Sequence, residues 1–183
     1  MSRFEVLGAP DPGLPHAYRG TSRDVPLVDE RHGLNHPANR VLLQLLDAGG
    51  EEPIRDLPTA ERLRTASTVP ELGSFFEVVE LTGHSERPQS ESRLLGFDVA
   101  FEDGLHSLLA AVLLLDVPGD DAGERRIDLR RRFRDRLNDN LLFATEEDAL
   151  EFLASAEAVG PWEGPDIEWA VVGLWLVGED RQG

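Results

Sequence analysis

Ser74-Phe75-Phe76-Glu77-Val78-Val79-Glu80-Leu81-Thr82 is dense in aromatic and β-branched side chains and stops at Gly83, which is the profile of a half-buried strand. A second run, Arg93 to Phe101 (RLLGFDVAF), has the same character, and the polar, turn-forming stretch from His84 to Ser92 lies between them. The pair reads as a long-looped antiparallel hairpin. Outward from it, Arg3 to Leu7 supplies a short strand at one end of the chain. At the other end, Ile167 to Val177 (IEWAVVGLWLV) supplies a strand so continuously apolar that a central place in the sheet is expected. The strands are not spaced as βαβ units. The expectation is therefore an α+β fold, with an antiparallel or mixed sheet of about four strands and helices packed on it.

The helices come from period and punctuation. Thr145 stands where a helix cap belongs, Asp148 holds the capping-box position, and Ala149, Leu150, Phe152 and Leu153 face inward, so a helix is expected over 145–158. Leu129, Phe133 and Leu137 recur at i, i+4 and i+8 in DLRRRFRDRLN, an amphipathic helix over 128–138 with arginine on its other faces. Gly104 opens an apolar run whose length and alanine content favour a buried helix. A short helix is expected over 59–65 with Thr59 as cap, and another from Asn35–Pro37 through Leu46 to Gly49-Gly50. Leu141 to Ala144 reads as a brief extended piece. Residues 8–34 are an irregular lead-in rich in Pro and Gly, and 183 residues suit a single domain able to bury a core without staples.

Composition narrows the function classes. Cysteine is absent, which excludes disulfides, thiolate nucleophiles and thiolate metal sites. All eighteen basic residues are arginine, so lysine nucleophiles, Schiff bases and the phosphate-binding P-loop are excluded as well. Neither G-x-S-x-G nor G-x-G-x-x-G occurs. The start lacks the layout of a secretory signal, and the apolar run Leu105 to Val117 is shorter than the roughly 18–20 residues a membrane span needs, so the cytoplasm is the expected location. A formal charge of −17 disfavours nucleic acid and anionic lipid as partners; it suits solubility, salt adaptation or a basic protein partner whose approach it would accelerate.

Four constellations merit weighing. His32 and His36 stand four apart and would align for a metal on a helix, but Gly33 and Asn35 before Pro37 favour a loop, so they are weak candidates. Asp103, His106 and Ser107 hold the residue types of a triad, yet neighbours on a helix point apart, and catalysis is not expected there. Glu86, Glu91, Asp98, Glu102 and Asp103 form an acidic set around the hairpin, open to a basic partner or a divalent cation, or merely a solvated rim. Seven arginines lie between Arg125 and Arg136; they suit internal pairing with the excess acids or a self-association face, with Arg130, Arg131 and Arg134 as candidates.

FFEVVELTG (75–83), LLGFDVAFEDGLHSLL (94–109), RLNDNLLFATEEDALEFL (136–153) and WAVVGLWLV (169–177) together resemble small bacterial proteins of the polymorphic-toxin immunity type. The matching residues are Gly96-Phe97-Asp98-Val99, Ser107, and Leu137-Asn138 to Leu142-Phe143, within roughly 74–178. The resemblance implies a non-catalytic inhibitor that binds a toxin domain and covers its active site, with no cofactor. Beside it stand two other classes: a small enzyme or ligand-binding protein of an unassigned family, and a homo-oligomeric structural or housekeeping protein.

Overall fold

The computed structural model describes residues 2–7, 54–67, 77–101, 107–114, 123–159, 162 and 167–178. Within them the fold is α+β: an open, four-stranded antiparallel sheet with helices against it. The strands are β1 (Arg3–Leu7), β2 (Glu77–Gly83), β3 (Ser92–Phe101) and β4 (Trp169–Val177), in the spatial order β1-β2-β4-β3. The helices are α1 (Leu57–Ser67), α2 (Gly123–Phe133) and α3 (Glu146–Ala158). A π-helical turn at Ala110–Leu114 and a 3-10 turn at Arg134–Arg136 complete the described elements. The expected lead-in over 8–34 and helix over 35–50 lie outside the described residues.

The expected hairpin is not formed. β4 inserts between β2 and β3 and pairs antiparallel with both, so β2 and β3 run parallel, two places apart. The connection 84–91 must therefore travel back along the sheet, from the level of Val172, opposite Gly83, to that of Val177, opposite Ser92. Parallel crossovers usually take a dozen or more residues and carry a helix. Here a buried carboxylate stands in for that helix. Glu80, fully buried at 0 % exposure, accepts Gln89 N at 2.6 Å through one oxygen, and Ser90 N at 3.0 Å and Ser90 Oγ at 2.5 Å through the other. Charge-assisted hydrogen bonds of this kind contribute most where water is excluded. Glu80→Gln keeps the volume but turns an amide NH2 against a backbone N–H. It should cost about 2 kcal/mol in thermal unfolding and raise amide exchange at Gln89 and Ser90.

Register assigns the core. Opposed residues share a sheet face, so Val79, Leu81, Leu174 and Leu176 lie on one side, where Leu95 and Leu142 join them. On the other side Phe4, Val6 and Val78 meet Ala60 of α1, while Val99 and Val171 meet the π-helical turn, α2 and α3. Phe133, Phe143 and Phe152 fill that second cluster, with ring centroids 5.3–6.3 Å apart. Each such fully buried ring contributes about 1.5–3 kcal/mol by area alone.

The helix expectations fare well except at Leu150, which was expected to face inward and instead lies 39 % exposed, because the helix buries the face that carries Ala149, Phe152 and Ala156. Thr145 caps α3: its Oγ1 accepts Asp148 N at 3.2 Å and donates to Asp148 Oδ2 at 2.6 Å. α2 buries Leu129 and Phe133 as its period requires, but tightens into the 3-10 turn before Leu137. α1 starts a turn earlier than expected, because Asp56 and not Thr59 is the cap: Asp56 Oδ1 accepts Thr59 N at 2.9 Å. No helix among the described residues is long and apolar enough to cross a membrane.

Candidate functional site

Asp98 does not join an exposed acidic rim. It is fully buried on β3, on the sheet face that carries Val172 and Leu174. Its Oδ1 accepts Ser107 Oγ at 2.7 Å and Val99 N at 2.7 Å, while Oδ2 has no hydrogen-bond partner. Burial pushes its carboxyl from 3.8 up to about 7, against the lowering effect of the Ser107 and Val99 hydrogen bonds. Ser107 also accepts Ala110 N at 2.9 Å and thereby opens the helical segment leading into the π-helical turn. The pair ties that segment to the sheet, and Asp98 is in no position to meet a partner. Glu102, Asp103 and His106 lie outside the described residues, as do His32 and His36.

The residues that carried the resemblance meet in space. β3 bulges at Leu95, so that Leu94 opposes Trp175 while Gly96 opposes Leu174. Asn138 Nδ2 and Asn140 Nδ2 both donate to Leu95 O, at 2.8 and 3.1 Å, and Asn138 Oδ1 accepts Asn140 N and Leu142 N. Phe97 and Phe143 exchange both backbone hydrogen bonds at 2.9 Å, so the expected extended piece becomes a one-residue extension of the sheet beyond β3. This arrangement organises the sheet edge and presents no side chain for chemistry.

One serine, histidine and carboxylate set does converge, and the sequence offered no hint of it because its members are 61 residues apart. Ser85, with φ of 59°, stands two residues past the end of β2; its N and Oγ reach Glu146 Oε1 at 3.0 and 3.4 Å. His84 Nδ1 pairs with that same Glu146 oxygen, and His84 Nε2 stands 3.5 Å from Ser85 Oγ. A hydrolytic triad needs the hydroxyl directed at imidazole and amide donors left open for an oxyanion. Here one carboxylate oxygen takes the amide, the hydroxyl and the imidazole together, which pins the start of the 84–91 crossover to the first turn of α3. Among the described residues no three His, Asp or Glu side chains come together as a metal ion would require.

That pinning leaves an acidic surface. Glu86 and Glu91 are exposed on the crossover, and Glu147 is exposed in the first turn of α3 beside the anchoring Glu146. Glu86 also accepts Gly83 N at 3.2 Å, closing the turn after β2. The arginine block divides. Arg132 and Arg136 reach across to Glu151, Asp148 and Ser155 of α3. Arg136, at 2.6 Å, holds the Glu151 carboxyl below its ordinary value. Arg130 is half-buried with Nε donating to Val112 O at 2.9 Å, so its guanidinium serves the fold and not a self-association face. Arg131 and Arg134 are exposed. No known protein family, curated protein or solved structure matches this chain.

Proposed function

We propose that this chain is a non-catalytic protein-binding module that docks on a basic protein surface and, within that class, an immunity protein that neutralises a toxin domain by covering it. One observation carries the reading: the crossover 84–91 is held down at both ends by carboxylates, Glu146 and Glu80, and still presents Glu86 and Glu91 to solvent. A preorganised acidic loop loses little conformational freedom on docking. A body of net charge −17 steers a basic partner toward it, with association reaching about 10⁸–10⁹ M⁻¹s⁻¹ at low salt. The buried acids Asp98 and Glu80 are engaged inside the chain and leave this role to the exposed ones.

The experiment is calorimetry and stopped-flow association with the protein encoded beside this gene. Binding is expected, with an on-rate that falls steeply as salt rises. Glu86→Arg with Glu91→Arg should slow association at least tenfold, while the lost Gly83 N–Glu86 Oε2 hydrogen bond lowers stability by only about 1 kcal/mol and leaves the protein folded. Binding indifferent to both salt and this double substitution would refute the docking surface. Turnover of a small metabolite that is lost in His84→Ala would instead support the enzyme class.

A further inference from the structure

Gly83 to Glu86 form a turn closed at both ends: Glu86 N donates to Gly83 O at 3.0 Å, and Gly83 N donates to Glu86 Oε2 at 3.2 Å. Within it, positive φ falls on Ser85 alone, at 59°. Positive φ at the third place of such a turn calls for Gly or Asn, because a Cβ in the left-handed region crowds the following carbonyl oxygen. A free serine avoids that region by roughly a factor of ten. The local sequence therefore opposes the turn that fixes Glu86, and a group outside the turn must hold it.

Glu146 is that group. From the first turn of α3 its Oε1 accepts Ser85 N at 3.0 Å and Ser85 Oγ at 3.4 Å, and it pairs with His84 Nδ1. All three contacts fall on the two central residues of the turn, where the local preference is weakest. The support beneath Glu146 is itself fixed: Thr145 caps α3, Arg136 ties it to the 3-10 turn through Asp148 and Glu151, and Ala149 and Phe152 are fully buried. A carboxylate carried on a packed helix can hold a strained residue that its own neighbours would release. The far end of the crossover has its own anchor in Glu80, so the turn at 83–86 is the part that depends on α3. We propose that Glu146 is a positioning residue for docking: it keeps Ser85 left-handed and thereby aims the Glu86 carboxylate, acting through the turn and not through contact with the partner. The proposal rests on the docking function described above. Without this hold, roughly one molecule in ten keeps the turn, and the apparent affinity falls by the same fraction.

The test compares the parent, Glu146→Ala, and Glu146→Ala combined with Ser85→Gly. Thr145 still caps α3 in all of them, so the fold is retained. Amide exchange of the free proteins is read at Glu86 N, the donor that closes the turn. It should be about tenfold faster in Glu146→Ala and return most of the way in the double variant, because glycine adopts positive φ without steric cost. Calorimetry with the protein encoded beside this gene should follow the same order. The Kd weakens about tenfold in Glu146→Ala and largely recovers in the double variant, with nearly the same salt dependence of association throughout. Loss of a charge, or general damage to α3, would not be repaired by deleting a Cβ at residue 85. Exchange at Glu86 unchanged by Glu146→Ala, or a double variant no better than the single one, would overturn the proposal. A parent that does not bind refutes the docking function and the positioning role with it. A parent that binds no better than Glu146→Ala refutes the positioning role alone and leaves docking standing.

Discussion

Gly96→Ala lowers the stability of this protein by about 4 kcal/mol, from two sources of about 1–3 kcal/mol each, backbone strain and overpacking. Gly96 has φ of 150°, and a Cβ built on it stands 2.6 Å from Leu142 Cβ, 2.8 Å from Phe143 O and 2.9 Å from Asn138 Nδ2. The first two belong to backbone or its first carbon, and the third is held by its hydrogen bond to Leu95 O, so none can simply swing away. For a chain of this size the loss corresponds to about 10 °C in the unfolding midpoint. Gly178→Ala separates the two sources: its φ is 80°, but the nearest atom to an added Cβ is 3.9 Å away, so only strain of about 1 kcal/mol remains. Urea melts of the two variants test this directly. A Gly96→Ala protein within 1 kcal/mol of the parent would show that the segment 138–143 does not press on the β3 bulge as described.

Asp98→Asn removes a pH dependence and makes the protein more stable above neutrality. The folded-state carboxyl is raised to about 7, while the unfolded chain releases this proton near 3.8. Between these values the folded state binds one more proton than the unfolded state, so stability falls as pH rises through the window and then levels off above pH 7. Three pH units of differential binding amount to about 4 kcal/mol. Asparagine mimics the protonated acid: its oxygen still accepts Ser107 Oγ and Val99 N, and no charge is left on the side where Oδ2 has no partner. The variant should match the parent near pH 4 and exceed it by up to about 4 kcal/mol at pH 8. Because the remaining acids contribute equally to both proteins, the difference between their urea-melt profiles isolates Asp98. Parallel profiles from pH 4 to 8 would mean that Asp98 ionises without cost where it lies.

The elements themselves were largely legible from short-range pattern. The four strands show in runs such as EVVEL and AVVGLWLV, and the cap of α3 shows in Thr145 and Asp148, because a strand or a cap depends on residues within a few positions. Strand adjacency was not legible. Successive strands usually pair, and eight residues from His84 to Glu91 are few for a parallel crossover, so a hairpin was the natural expectation. The insertion of β4 depends on Glu80 capturing Gln89 and Ser90, whose amides are found only once the chain has turned back over the sheet.

The candidate site divides in the same way. The charge of −17, the isolated arginine block and the exposure of Glu86 and Glu91 were open to inspection in the chain, since charge and polarity are carried by residue type. Asp98 was misread because its burial is set by the face it lands on, and that face is set by the Leu95 bulge and by leucines from β4 and from residue 142. The grip of Glu146 on His84 and Ser85 joins positions 61 apart, and the splitting of the arginines into those facing α3 and those facing water depends on how two helices meet. Residue type and spacing dictate what a segment becomes locally, over one or two turns of chain. Which carboxylate is stripped of water, and which arginine keeps it, follows from contacts between distant segments that exist only after packing.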